Sequence, residues 1–288
     1  MSSQPSIINT REMWRITRCL TVTCLLAALI LGLVYAVTEP ITRVQRATRE
    51  AAVVRQLLDL GAEAAVTEIR RYLWRSGDSM VGYLTERELF RVTVEGAVID
   101  RTPRSETLAS VTGDQLDAWV VEHFPGAESV GRFFIGHGLE GAIAGYVTEE
   151  VQQGFKSPIR FFVALTADFT VRAVEVVAHE EDPGLGAEIV RPGFKHQFAG
   201  RSREGVAALR VVKDPIPPEW LTVVRARDGV AFDVWRTQHA AALAADGDRP
   251  IYAVTGATIS SRALTDGVKR AVAHLQHRLS ILERAGEE

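Results

Sequence analysis

The sequence predicts an α+β protein in which a single membrane-crossing helix precedes a globular part with an antiparallel sheet and flanking helices. Three observations predict this class. A run of 20 uncharged residues, from Cys19 to Thr38, stands near the N-terminus. Strand-like segments crowd between residues 143 and 179 and include a tight hairpin. An apolar stripe at helical spacing closes the chain, through Leu264, Val268, Ala271, Val272, Leu275, Leu279 and Leu282.

At a rise of about 1.5 Å per residue, the uncharged run is about 30 Å long, the hydrocarbon thickness of a bilayer. A cleaved signal peptide has a shorter apolar stretch, and Tyr35-Ala36-Val37 before Thr38-Glu39-Pro40 offers no small-residue cleavage site. The reading is an uncleaved single-pass anchor at 19–38 behind a cytoplasmic tail at 1–18. Arg11, Arg15 and Arg18 before the span balance Arg43, Arg46 and Arg49 after it, so charge leaves the orientation open. Ile41, Val44, Ala47, Ala51, Val54 and Leu58 continue the helical spacing until Gly61, so 39–65 reads as a membrane-proximal stalk helix.

Residues 66–142 read as a variable first part of the soluble domain. Strands are expected at 66–75 and 89–99, a polar loop at 101–117, and a short helix near 114–123 stopped by Phe124-Pro125-Gly126. The second part runs from 143 to 282. Strands are expected at 143–151, 159–166 and 171–179, the last two joined by Ala167-Asp168-Phe169-Thr170 as a hairpin. A glycine-rich loop at 180–200 and a strand at 205–213 follow, then the rigid break Asp214-Pro215-Ile216-Pro217-Pro218. An alanine-rich helix is expected within 228–246.

Composition narrows the function. The 288 residues carry 33 basic and 36 acidic side chains, a net charge of −3, so no nucleic-acid partner is expected. With 47% hydrophobic and 24% charged residues, wholesale disorder is excluded. Cys19 and Cys24 both lie in the apolar run, so the remainder holds no disulfide, cysteine-ligated zinc or iron–sulfur cluster. If this protein moves electrons, an organic cofactor carries them. His274 and His277 lack a nearby carboxylate or cysteine and read as a solvated helix face, and Gly136-His137-Gly138 reads as a turn. No catalytic residue and no metal site is expected.

One segment concentrates chemistry. In Val254-Thr255-Gly256-Ala257-Thr258-Ile259-Ser260-Ser261, four hydroxyls and two small residues occupy a strand-to-helix turn. Free N–H groups and the positive end of a helix favour an anion there, and glycine lets it approach the backbone. A plain Ser/Thr helix cap reads the same residues without a ligand.

Read with the rest of the chain, this segment resembles the flavinylation sequence of the FMN-binding domain family, found in the G subunit of the Rnf ion-translocating electron-transport complex and the C subunit of the sodium-translocating NADH:quinone reductase. His179-Glu180-Glu181-Asp182-Pro183-Gly184-Leu185-Gly186 resembles the family's His-x-Glu-Thr-Pro-Gly-Leu-Gly loop, and Gln197-Phe198-Ala199-Gly200 its Gln-Phe-x-Gly stretch. The apolar run ending in Thr38-Glu39-Pro40 is like the family's anchor. The resemblance implies FMN attached through its phosphate to Thr258 by an external flavin transferase that uses FAD and Mg²⁺. It implies Thr255, Gly256, Ala257, Ser260 and Ser261 around the phosphate, and Glu181, Gly184, Leu185 and Gly186 at the flavin. It further implies an electron-relaying subunit among other membrane subunits in a bacterial inner membrane, with the soluble domain on the extracytoplasmic side.

Three departures stand out. Tyr252 occupies the place of a family Asp, Asp182 replaces a threonine, and 35 residues from Pro215 to Arg249 form an insertion. A subunit of the quinone-reductase type, a non-redox binding module of the same fold and a sensor ectodomain are the competing readings. Tyr252 is the main support for the non-redox module.

Overall fold

The computed structural model describes residues 10–61, 64–75, 80–104, 113–138, 141–245 and 249–287. The chain divides into two compact units, 1–52 and 53–288. The described residues of the first unit belong to α1 (Thr10–Leu57), whose last turn lies in the second unit. Within it, Met13–Glu39 is long and apolar enough to cross a membrane, and none of it is buried by protein. Thr21, Thr23 and Thr38 donate their hydroxyls to carbonyls one turn back, at 2.7–2.8 Å, so these polar groups need no water.

The second unit is built on an eight-stranded antiparallel sheet. Its strands are β1 (Val66–Trp74), β2 (Met80–Leu84), β3 (Glu88–Thr93), β4 (Val98–Pro103), β5 (Ala127–His137), β6 (Ile143–Gln153), β7 (Pro158–Thr166) and β8 (Val171–Ala178). Their spatial order is β4-β3-β2-β1-β5-β6-β7-β8. β7 shows why the sheet is a two-sided core. Ile159, Phe161, Val163 and Leu165 face one apolar cluster, and Phe162 and Ala164 face another. The side-chain period of two puts alternate residues on opposite faces, so a continuous apolar run serves a sheet covered on both sides.

The final helix, α8 (Thr258–Glu287), covers the first face and buries Leu264, Val268, Ala271, Val272, Leu275 and Leu279. Val54, Leu57 and Leu58 cover the second. α2 (Asp114–His123) forms where the short helix was expected. Its Asp117 accepts hydrogen bonds from Arg70 at 2.8 Å and Tyr72 at 2.6 Å, fixing the helix on β1.

Several expectations are corrected. β2 and β5 were not anticipated, and β4 extends through residues assigned to a polar loop; 105–112 of that loop lie outside the described residues. Gly136 and His137 end β5 rather than forming a turn. Gly136 pairs with Gly145 of β6, and Leu58 packs where either would carry a side chain. The expected strand at 205–213 instead begins with the end of a helix: Ser202 caps α4 (Arg203–Ala207) by accepting the Gly205 N–H at 3.2 Å. Only β9 (Val211–Val212) is extended, and it pairs in parallel with β10 (Ile251–Tyr252).

The loop at 180–200 winds into short turns, Gly186–Val190, α3 (Pro192–Lys195) and His196–Phe198, because Ile189, Phe194 and Phe198 reach the core. The insertion carries α5 (Pro218–Arg225), and two short helices, α6 (Phe232–Gln238) and α7 (Ala240–Ala245), replace the single alanine-rich one. Trp220, Val223, Val224, Phe232 and Trp235 close a separate cluster, with Tyr252 packed against it. The insertion thus has its own small core.

A Cβ at Gly145 would collide with the Leu165 carbonyl oxygen and lie 3.1 Å from Leu58 Cδ2. Gly145→Ala therefore lowers unfolding stability by about 1–3 kcal/mol, measured by chemical denaturation of the full chain in detergent. Gly193→Ala, where a Cβ meets nothing within 4 Å, changes it by less than about 0.5 kcal/mol. Equal effects would contradict this packing.

Candidate functional site

The candidate site forms where three segments meet: the β6–β7 turn, the loop after β8 and the start of α8. A buried carboxylate joins them. Glu181 is 4% exposed. Its Oε1 accepts the N–H groups of Lys156 at 2.9 Å and Ser157 at 3.0 Å. Its Oε2 accepts the Phe155 N–H at 3.3 Å and the Ser260 hydroxyl. Burial pushes the Glu181 pKa up, but the Ser260 hydroxyl and the three N–H groups outweigh it and hold it below the ordinary 4.5.

The neighbouring residues fit this arrangement. The Ser157 hydroxyl accepts the Glu180 N–H at 2.7 Å. A Cβ on Gly154 would lie 2.6 Å from Glu181 Oε1, and one on Gly186 would lie 2.9 Å from Ser260 Oγ. Both positions are filled by the carboxylate and its partners, which is why glycine stands there.

The segment before α8 is a tight turn. The Ala257 N–H donates to the Val254 carbonyl at 2.9 Å, and Gly256 has φ +77°. That is the left-handed third position of a type II turn, where glycine is favoured. The Cβ that Gly256 lacks would lie 2.9 Å from Leu185 Cδ2. The turn before Thr258 and the Pro183-Gly184-Leu185 turn are therefore in contact. Gln197 fixes the strand leading in: its Oε1 accepts the Tyr252 N–H at 2.8 Å and its Nε2 donates to the Tyr252 carbonyl at 3.1 Å.

The serines serve the protein. Ser260 gives its hydroxyl to Glu181, and Ser261 Oγ accepts the Val254 N–H at 3.1 Å; both are buried. Thr255 is exposed, Ala257 buried and Thr258 half-buried at the first position of α8. Among the described residues, no acceptor pairs with the N–H groups of Thr258, Ile259 and Ser260, and the first turn holds no acid. These donors at the positive end of a 30-residue helix suit a phosphate.

Leu185 is 47% exposed, Phe155 67% and Ile259 55%, each adjoining the Glu181 junction. They offer apolar surface to a planar ring. The Leu185 N–H is taken by the Asp182 carbonyl at 3.2 Å, so the loop offers Leu185 by its side chain. Gly184, at φ +74°, leaves open space where a side chain would stand. Asp182 pairs with Lys156 at 2.9 Å, which offsets the carboxylate that replaces threonine.

Phe155, Lys156 and Ser157 were not singled out from sequence. The available signal was an acid in a glycine-rich loop, since such a group requires several donors once it is buried. No group of three or more metal-ligating side chains occurs among the described residues.

The Glu181 pKa is depressed in the folded state, so its stabilisation is present above about pH 4.5 and is lost as pH falls through the folded value. Glu181→Gln should cost about 1.5–3 kcal/mol at neutral pH, with the gap narrowing in acid. Urea melts at several pH values measure it, and a gap independent of pH would contradict the assignment.

Residues 154–273 match the sequence model of the FMN-binding domain. The chain is 32% identical over 127 residues to the G subunit of the proton-translocating ferredoxin:NAD(+) oxidoreductase complex of Clostridium ljungdahlii, covering 44% of this chain and 51% of that relative. It is 29% identical over 174 residues to the G subunit of the ion-translocating oxidoreductase complex of Methanosarcina acetivorans, covering 59% of this chain and 68% of that relative. The first match thus spans about half the relative's length. The crystal structure of Shewanella oneidensis NqrC aligns with TM-score 0.48 and 16% identity over 80% of this chain and 93% of that one. Over residues 154–273, the chain is thus similar to the FMN-binding domain.

Proposed function

We propose that this chain is a membrane-anchored flavoprotein subunit of an Rnf-type ion-translocating electron-transport complex, with FMN held as a phosphoester on Thr258. The observation that carries the reading is Thr258 itself. It stands partly open at the start of α8, beside three unpaired N–H groups and next to the turn that carries Leu185.

The residues present fit the cofactor. Thr258 Oγ would be the attachment atom, and the Thr258, Ile259 and Ser260 N–H groups with the Thr255 hydroxyl would hold the phosphate oxygens. Phe155, Leu185 and Ile259 would lie against the ring, while Gly184 and Gly256 keep the approach clear. FMN would supply one- and two-electron redox chemistry, which no cysteine or metal cluster among the described residues of the second unit supplies. Glu181 keeps the three segments assembled, with both its oxygens engaged by the protein. The 20 uncharged residues of α1 support a single-pass anchor at 19–38, and the resemblance to the FMN-binding domain family implies that the tail at 1–18 is cytoplasmic and the domain extracytoplasmic. A flavin transferase would mature the protein, and other membrane proteins of the complex would exchange electrons with it.

Intact mass after co-expression with a flavin transferase tests the reading. A gain equal to FMN less one water, absent from Thr258→Ala, is expected. An unmodified mass, with the transferase proven active on another substrate, would overturn attachment and favour the non-redox module that Tyr252 also suits.

A further inference from the structure

We propose that the Lys156–Asp182 ion pair at the lip of the site sets the reduction potential of the flavin held there. The inference rests on the flavin reading above and gives a role to two side chains which that reading leaves idle.

Lys156 stands in the β6–β7 turn and Asp182 in the loop after β8, and Lys156 Nζ donates to Asp182 Oδ1 at 2.9 Å. The pair bridges, from the solvent side, the same two segments that buried Glu181 joins beneath it through the Lys156 N–H. Its side chains are 57% and 44% exposed. An exposed pair of this kind contributes little to stability, so its position matters more than its strength.

That position adjoins the apolar surface offered to the ring. Lys156 follows Phe155 directly, and consecutive Cα atoms are about 3.8 Å apart. Asp182 opens the turn that carries Leu185, whose N–H its carbonyl accepts at 3.2 Å. The ends of such a turn lie within about 7 Å of each other. A ring against Phe155 and Leu185 is therefore close enough to the pair to feel both charges, since screening at 0.1 M salt sets in over about 10 Å.

The loop is locally acidic, with Glu180, Glu181 and Asp182 in succession. Glu181 is engaged by three N–H groups and the Ser260 hydroxyl. All three acids hold the Lys156 ammonium in its charged form, Asp182 most strongly. Taking up two electrons and one proton adds one negative charge to the flavin ring. A carboxylate beside the ring opposes that change and an ammonium favours it. Paired, the two nearly cancel. Removing one partner leaves the other unbalanced, so the two removals move the potential in opposite directions. A pair that served packing alone would not give opposite signs.

The test uses the full chain carrying FMN in neutral detergent, equilibrated with dithionite against a reference dye and read by flavin absorbance. Lys156→Met should lower the potential and Asp182→Thr should raise it. Each shift should equal about a three- to tenfold change in the ratio of affinities for reduced and oxidised flavin, or about 15–30 mV for a two-electron couple. The double variant should return close to the unaltered chain, and the single shifts should shrink at high salt. Arg203→Gln is the control. Arg203 is an exposed cation bonded to Gln276 of α8, about 27 Å along the helix from Thr258, and its loss should leave the potential unchanged. Absent shifts, shifts of one sign, or shifts indifferent to salt would overturn the proposal. Should either variant fail to fold, Lys156→Gln and Asp182→Asn make the same comparison with closer shapes. FMN released on denaturation would contradict attachment to Thr258 alone, and the potentials would still decide. A chain that holds no FMN would overturn the flavin reading and this inference together.

Discussion

The candidate site depends on one buried carboxylate. Glu181 takes three backbone N–H groups from the β6–β7 turn and a hydroxyl from the first turn of α8. Those partners lie about 25 and 79 residues away in sequence, so one side chain closes two long loops. Each oxygen accepts two bonds, which compensates removal of the charge from water. The glycines at 154 and 186 follow from the same constraint, because a Cβ at either would collide with this group.

The sheet and α8 supply the rigid frame around that junction. α8 packs on β6 and β7 and its last turns reach Gly96 and Arg101, so its N-terminus is fixed by packing far from the site. The helix can therefore present unpaired N–H groups at Thr258 without fraying. Gln197 performs a parallel task from the other side. Its amide makes both hydrogen bonds to the Tyr252 backbone and sets the strand that enters the Gly256 turn. The Tyr252 side chain packs on the apolar cluster of the insertion. The two departures from the family pattern, an aromatic at 252 and the insertion at 215–249, are thus physically connected.

Much of the frame was legible in sequence, and the reasons are local. The apolar run of α1, the β7–β8 hairpin and the stripe of α8 each carry a strong period. The turn before α8 was legible too, because Gly256 sits between a strand and a helix; its reading as a flavin site came from the family resemblance. β5 was hidden because its first half is polar and broken by Gly131 at φ +121°, and its pairing with β1 is set by partners distant in sequence. The 205–213 segment was misread because its β-rich composition concealed the Ser202 cap. The roles of Ser260 and Ser261 were equally out of reach. A hydroxyl at a helix start can face a ligand or the interior, and only Glu181 and Val254 decide between them.

The chemical state of the flavin phosphate tests the central claim most directly. In the purified full chain, its ³¹P resonance can be followed between about pH 5 and 8, across the second ionisation of a phosphate monoester near about 6. The account predicts a diester on Thr258, whose resonance stays fixed over that range. A resonance that titrates near pH 6 would mean a free monoester bound without a covalent bond, and would contradict it.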